Sequence, residues 1–304
     1  MPEDQAVNGD RWNGQFTKLL ESIGWTSLGD ANMDLTNEVD EQHGVDRLFT
    51  FVNSFIDGRE EAVIFEAKNY LTTSYNSGHI DTWIKTLDKK ISNLKNSERL
   101  YEMFPSLQSM PFRTGVIAIW FSDLDNYPSF RQKFIDSLAK VKLNRQQGDS
   151  NHIYVLDNSG VLRLASLFMA IDEINRHKDT KDPFQFYFPA AGKRQAVNHS
   201  AVLALNYFPA KFILGQYTDV NHVEHRVVFY LGRLDIASFE RLQNALSNIG
   251  FLDTQKPLTI FTYQRDDNFY RKIKPELENI FAGLTIDAQE MEYITQLPRF
   301  MRKD

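Results

Sequence analysis

The stretch that most limits what this chain can fold into is Ala62-Val63-Ile64-Phe65-Glu66-Ala67-Lys68-Asn69. Four apolar residues follow a turn signal, Asp57-Gly58, and read as a strand covered on both faces. Charge then continues straight on from the apolar run, at Glu66 and Lys68. Side chains alternate between the two faces of a strand, so these two share a face. An unpaired charge at the end of a buried strand is expensive. A chain that keeps two charges there has paired them or uses them.

Asp46 lies twenty residues before Glu66. Residues 45–55 read as the partner strand, with Val45, Phe49, Phe51 and Phe55 on one face and Asp46, Leu48, Thr50 and Val52 on the other. Apolar residues on both faces suit a central strand. The connection sets the register. A three-residue loop, Asp57-Gly58-Arg59, pairs Ile56 with Glu60, puts Thr50 opposite Glu66, and turns Asp46 to the face of Glu66 and Lys68. A two-residue loop turns it away, and a bulge can rescue either case.

Phosphodiester hydrolysis needs a nucleophilic water and a sink for transition-state charge, and a divalent cation held by carboxylates supplies both. Mg²⁺ keeps several waters, so Asp46, Glu66 and the main-chain carbonyl of Ala67 suffice as protein ligands. Mn²⁺ suits the same oxygens. Lys68 is then a point charge beside the phosphate, or a group that orients or deprotonates the water if its pKa is lowered. An acid two residues before a lysine occurs three times: Glu66-Ala67-Lys68, Asp88-Lys89-Lys90 and Asp179-Thr180-Lys181. The second falls in a helical pattern and the third in a polar stretch. The first alone ends a buried strand.

Around this hairpin the periodicity predicts a helix over 11–23 with Phe16, Leu19, Leu20 and Ile23 on one face and Gly24 as its stop. A weak strand is expected within Ser27–Leu35. A helix over 80–96 carries Trp83, Ile84, Leu87, Ile91 and Leu94 as its apolar stripe; Lys85, Lys89, Lys90 and Lys95 lie mostly off it and read as a solvated face. Strands at 115–121 and 152–156 and helices at 128–141 and 162–177 complete an α/β layer pattern. The polar segment Lys178–Pro183 reads as a boundary. Beyond it come strand-like runs at 184–188, 201–207, 211–217, 226–232 and 258–263. Helices at 236–249 and 268–282 make two β-α units there.

Composition narrows the chemistry. The chain has 304 residues and no cysteine, so disulfides and thiolate metal sites are excluded. A reducing, cytoplasmic setting is expected, and the acidic start Met1-Pro2-Glu3-Asp4-Gln5 does not suit a signal peptide. The run Val116-Ile117-Ala118-Ile119-Trp120-Phe121 is too short to span a bilayer, so no membrane association is expected. Residues 1–66 hold 14 Asp and Glu against 4 Lys and Arg, whereas the chain as a whole has 40 against 34. Acid therefore gathers around the candidate metal site and the remainder is slightly basic. No Gly-rich phosphate loop or Gly-x-Ser-x-Gly elbow occurs. His222 and His225 have a spacing that can seed a zinc site but lack a third ligand. Phe184-Gln185-Phe186-Tyr187-Phe188 invites base stacking, although a buried strand is the expected reading.

The helix with Asn13-Gly14-Gln15-Phe16, the strand Gly44-Val45-Asp46, the strand Val63–Asn69 and the helix around Trp83 together resemble the PD-(D/E)xK nuclease superfamily. The resemblance covers about residues 10–157. It implies a restriction-endonuclease-like fold, a mixed sheet flanked by helices, with Asp46 and Glu66 binding metal and Lys68 catalytic. The proline of the family name is replaced by Val45. Some members add an acid on the leading helix just after the Phe; here that position is Thr17. Glu21, one turn on, is the accessory candidate on that helix, and His43 and Asn69 are the others near the site.

The expectation is an Mg²⁺-dependent endodeoxyribonuclease with a nuclease domain over 10–178. An additional C-terminal α/β domain over 184–304 would serve DNA, dimer or partner contact. The resemblance points to anti-phage defence or restriction, with DNA as substrate and a homodimer or a partner subunit as the working form. The alternatives are a catalytically silent binding module with the same fold, or a repair or junction-resolving nuclease. Glu66→Ala is expected to abolish cleavage and leave the fold intact.

Overall fold

Helix α1 (Pro2–Ser22) opens the chain and starts well before the periodic residues of its C-terminal half. A computed structural model describes residues 2–36, 42–55, 58–143, 150–189, 199–264 and 266–302. Trp12, Phe16, Leu19 and Leu20 recur at helical spacing and are buried. Gly24 (φ 91°) closes the helix. Its N–H donates to the Glu21 carbonyl and that of Trp25 to Leu20, a pairing that needs the left-handed residue between them.

The chain divides into two compact units, Met1–Phe51 with Glu60–Leu162 and Thr295–Asp304, and Val52–Arg59 with Arg163–Ile294. In the first come β1 (Thr26–Leu28), β2 (Met33–Thr36), β3 (Gln42–Val45), β4 (Arg47–Asn53) and β5 (Arg59–Tyr70), the last two reaching just across the division. Helices α2 (Ser77–Leu94) and α3 (Glu98–Met103), β6 (Phe112–Phe121), α4 (Tyr127–Leu138) and β7 (His152–Leu156) follow. Helix α5 (Asn158–Arg176) contains the division between the units. The main sheet runs β1-β4-β5-β6-β7, while β2 and β3 form a separate antiparallel pair. β5, β6 and β7 are parallel neighbours, and β1 is antiparallel to β4.

Alternation along β5 explains its two coats. Phe65 stacks on Phe16 of α1 at 5.1 Å, and on the neighbouring strand Trp12 Nε1 donates to the Ala118 carbonyl at 3.0 Å. Ile64 faces the other way, into the core formed with Ile80, Ile84, Leu87 and Ile91 of α2. The long side chains of Glu66, Lys68 and Tyr70 take the Ile64 face by the same period of two. Fully burying a side chain of this size stabilises by about 1.5–3 kcal/mol, so the apolar run holds the charged end of the strand in place.

The expected single strand over 45–55 is two strands with a bend at Asp46 between them. Ile56 and Asp57, at the tip of the expected hairpin, lie outside the described residues, and Gly58 beside them has the positive φ (68°) of a tight turn.

The second unit holds β8 (Thr180–Tyr187), β9 (His199–Ser200), β10 (Phe212–Asp219), β11 (Glu224–Tyr230), α6 (Ile236–Asn248), β12 (Leu258–Thr262), α7 (Lys274–Ile280) and β13 (Ile286–Glu290). Its sheet order is β13-β12-β11-β10-β8-β9, parallel from β11 to β13 and antiparallel elsewhere. The two expected β-α units are β11-α6 and β12-α7, and their apolar faces share one core through Phe239, Leu242, Ile260 and Leu277. The boundary expected at 178–183 is instead strand from Thr180 on. Residues 201–204 are loop rather than strand, with Leu203 and Ala204 buried, and a 3₁₀ turn follows at Leu205–Tyr207. The helix expected at 268–282 is a π-helical turn, Phe269–Ile273, followed by α7 with Pro275 in its first turn. Among the described residues no helix is long and apolar enough to cross a membrane.

Candidate active site

The charged end of β5 gathers four ionisable side chains. Lys68 Nζ lies 2.8 Å from Glu66 Oε2 and 3.5 Å from Asp46 Oδ2. Lys90 Nζ, from α2, reaches Glu66 Oε1 at 2.5 Å and also donates to the Gly44 carbonyl. Glu66 is buried, at 6% exposure, and both of its carboxylate oxygens are engaged by ammonium groups.

Asp46 reaches this cluster through its position between strands. Its main-chain carbonyl accepts from Asn13 Nδ2 at 2.8 Å and from the Asn32 N–H at 3.0 Å. The backbone is thereby drawn away from the ladder, which is why β4 begins only at Arg47. The freed side chain turns towards β5, where Oδ2 accepts the Ala67 N–H at 2.6 Å. Asp46, Glu66 and Lys68, the three residues predicted to cooperate, are thus brought together.

The electrostatics assign distinct states. Burial pushes the Asp46 carboxyl up, and the Glu66 carboxylate adds to this. Lys68, the Ala67 N–H and Lys90 pull it down without compensating. Burial pulls Lys68 down, but the Glu66 and Asp46 carboxylates outweigh it and hold the amine above its ordinary value. Lys68 is therefore a fixed ammonium at neutral pH. That state favours the role of point charge over that of water-deprotonating base in the metal-free site.

A carboxyl whose pKa is higher in the fold than in the unfolded chain makes the folded state bind the extra proton. Its contribution to stability then falls as pH rises from the ordinary carboxylate range through the folded value. Above that window, charged Asp46 is a net cost. The amide oxygen of Asp46→Asn still accepts the Ala67 N–H, so this variant is expected to raise the metal-free Tm at neutral pH. The gain disappears below the carboxylate range. Melts in EDTA at the two pH values check this, and a lowered neutral Tm would contradict it.

The accessory candidates fare differently. Glu21 is exposed and accepts from Ser27 Oγ at 2.9 Å; among the described residues it has no hydrogen bond or ion pair to Asp46, Glu66 or Lys68. His43 is buried in β3, with Nε2 3.3 Å from Asn93 Nδ2 of α2. Asn69 sits on the opposite face of β5 from Lys68, and its side chain accepts from Ser122 Oγ. Thr17 is buried on α1 within 3.5 Å of Asn13 Oδ1.

Two residues of the site were not read as such from the sequence. The sequence pattern puts Asn13 only within the leading helix and Lys90 on a solvated face. A signal for Lys90 exists: it lies three residues after Leu87 and four before Leu94, at the border of the apolar stripe.

The donor set is all oxygen. Among the described residues no group of three His, Cys, Asp or Glu side chains is placed to hold a metal ion. Two carboxylates converging on one cationic position, with the Ala67 main chain between them, suit a hard cation that keeps most of its waters. The other sequence candidates serve structure. His225 Nε2 pairs with Asp219 Oδ2 at 3.1 Å and its ring stacks on Tyr217, while His222 lies against Lys181. Phe184, Phe186 and Phe188 are buried in the second unit.

A family model described as the GAPS4 protein PD-(D/E)XK nuclease domain matches residues 1–160 of the 304, a span that contains Asn13, Asp46, Glu66, Lys68 and Lys90. No curated protein matches the chain.

Proposed function

Since the chain belongs to the GAPS4 PD-(D/E)XK nuclease domain family, we propose that it is a divalent-metal-dependent endonuclease that cuts DNA in anti-phage defence. The observation that carries this reading is the convergence of Asp46 and Glu66 on the Lys68 ammonium at the end of a buried strand. The family supports a nuclease. The metal, the DNA substrate and the defence role are the proposal.

Asp46, Glu66 and the Ala67 carbonyl would hold Mg²⁺, or Mn²⁺ in its place. When bound, such an ion lowers the pKa of a coordinated water and neutralises charge developing on the phosphoryl oxygens. Lys68 stays protonated and binds a non-bridging phosphate oxygen, which fixes the phosphodiester beside the carboxylates. Lys90 holds Glu66 from the helix side and restricts its rotamer, so that one carboxylate edge is presented in a set direction. Asn13 acts at one remove, by clamping the backbone that aims Asp46. One such site breaks one strand, so double-strand breaks call for two copies or a partner subunit. A cytoplasmic setting is consistent with the absence of cysteine.

Supercoiled plasmid incubated with the full chain tests the metal requirement. Nicking or linearisation is expected with Mg²⁺ or Mn²⁺, and a fall to background with EDTA. Equal cleavage in EDTA would sink the metal-dependent reading.

A further inference from the structure

Beyond Lys68, the site face of β5 carries one more side chain, Tyr70, and it is aromatic. Its ring lies 4.9 Å from Trp83 and 5.4 Å from His79, and His79 stacks on Trp83 at 5.5 Å with 16° between the planes. All three residues are half-buried. Tyr70 and Trp83 rest on the buried core on one side. The Asn76 main-chain N–H donates to His79 Nδ1 at 3.3 Å, which anchors that ring. Leu71, the next residue along the chain, is 48% exposed.

These rings are held next to the reacting groups by two contacts between the same pair of elements. Lys90 of α2 meets Glu66 of β5, and Trp83 of α2 meets Tyr70 of β5. Lys90 and Trp83 are seven residues apart, so they lie on the same side of the helix. Glu66, Lys68 and Tyr70 step along one face at about 7 Å per pair of residues. The aromatic group therefore sits within a nucleotide or two of any phosphate that Lys68 holds.

We propose that Tyr70, His79 and Trp83 form a nucleobase subsite that stacks an unpaired base beside the scissile phosphate. The preferred substrate is then DNA that is single-stranded or frayed at the cut, because a base still paired and stacked in a duplex cannot lay its face on the rings. Aromatic stacking is tolerant of base identity, since every base has a π-face. The subsite selects strand state rather than sequence. This rests on the nuclease reading of the adjacent carboxylates and lysine.

Trp83 reports on the subsite directly. Trp12, Trp25 and Trp120 are 1%, 3% and 7% exposed, so Trp83 is the one tryptophan that is not buried. Intrinsic fluorescence of the full chain is titrated in EDTA, which blocks cleavage, with a single-stranded oligonucleotide and with the duplex of the same sequence. Anisotropy of the labelled DNA reports binding in parallel. The single strand is expected to quench the emission and the duplex to do so far less. Trp83→Phe, which keeps a ring and the packing, should remove the emission change. Trp83→Ala and Tyr70→Ala should each lower the ratio of single-strand to duplex affinity by about tenfold. Single-strand binding without quenching, or an unchanged ratio in both alanine variants, overturns the subsite and leaves the nuclease reading standing. If neither nucleic acid binds in EDTA, the subsite is overturned, while the nuclease reading is decided separately by plasmid cleavage in Mg²⁺.

Discussion

Lys68→Ala is expected to slow plasmid cleavage by about 10²–10³-fold, the scale set by losing one preorganised electrostatic stabiliser. The ammonium pairs with both Asp46 and Glu66, at 3.5 and 2.8 Å. In the metal-free site the Glu66 and Asp46 carboxylates hold its pKa above the ordinary lysine value, so it is charged at neutral pH. A group in that state stabilises negative charge growing on the phosphate, and it needs no proton transfer to do so. The activity of the wild type should therefore show no loss on the alkaline side from Lys68 titration until the pH passes the ordinary lysine range. Lys68→Arg keeps the charge but changes the donor geometry, so partial activity is expected of it. Cleavage rates of the two variants, with circular dichroism as the control for folding, decide the point. Wild-type rates in Lys68→Ala would remove Lys68 from the mechanism.

Glu66→Gln is expected to lose both cleavage and stability. The sequence alone suggested that a buried charge can be removed without harm to the fold. The structure reverses that expectation, because Glu66 neutralises two lysines at once, with Lys68 at 22% and Lys90 at 15% exposure. Taking away one partner of a buried ion pair costs about 3–5 kcal/mol. Residual exposure of the two lysines and the remaining Asp46 carboxylate place this case near the lower end, at about 3 kcal/mol. The double change Glu66→Gln with Lys90→Met removes one stranded ammonium and should recover part of the stability without restoring activity. Denaturant unfolding of the single and double variants measures both effects. A Glu66→Gln protein as stable as the wild type would contradict the ion-pair account. Asp46→Asn runs the other way, inactive but no less stable, so the two carboxylates of one site are expected to be separable by melting temperature.

The most legible part of this site was the strand that carries Glu66 and Lys68. Four consecutive apolar residues and a period of two settle its type and the shared face without knowledge of any neighbour. Asp46 was legible as a candidate but not as a bend. The atoms that pull its carbonyl out of the ladder belong to Asn13 and Asn32, and no local pattern around Asp46 reveals them. Lys90 was hidden for a related reason. Helical periodicity puts it at the border of the apolar stripe, and only the placement of α2 against β5 turns a border lysine into a partner of Glu66. The second unit shows the same limit. β13 escaped notice because, as an edge strand, it buries only Ala288, so its run Ile286-Asp287-Ala288-Gln289-Glu290 lacks an apolar face long enough to read. Lys178–Pro183 was polar enough to pass for a linker, yet the start of β8 is largely exposed, where polar side chains cost nothing.

The central claim is that Asp46, Glu66 and Lys68 form one hydrolytic centre. It is tested most directly by supercoiled plasmid in Mg²⁺ with the full wild-type chain and with the triple variant Asp46→Asn, Glu66→Gln, Lys68→Met, both checked for native circular dichroism. The wild type is expected to convert the plasmid to nicked or linear form, and the triple variant to leave it supercoiled. Cleavage by a folded triple variant at the wild-type rate would contradict the account.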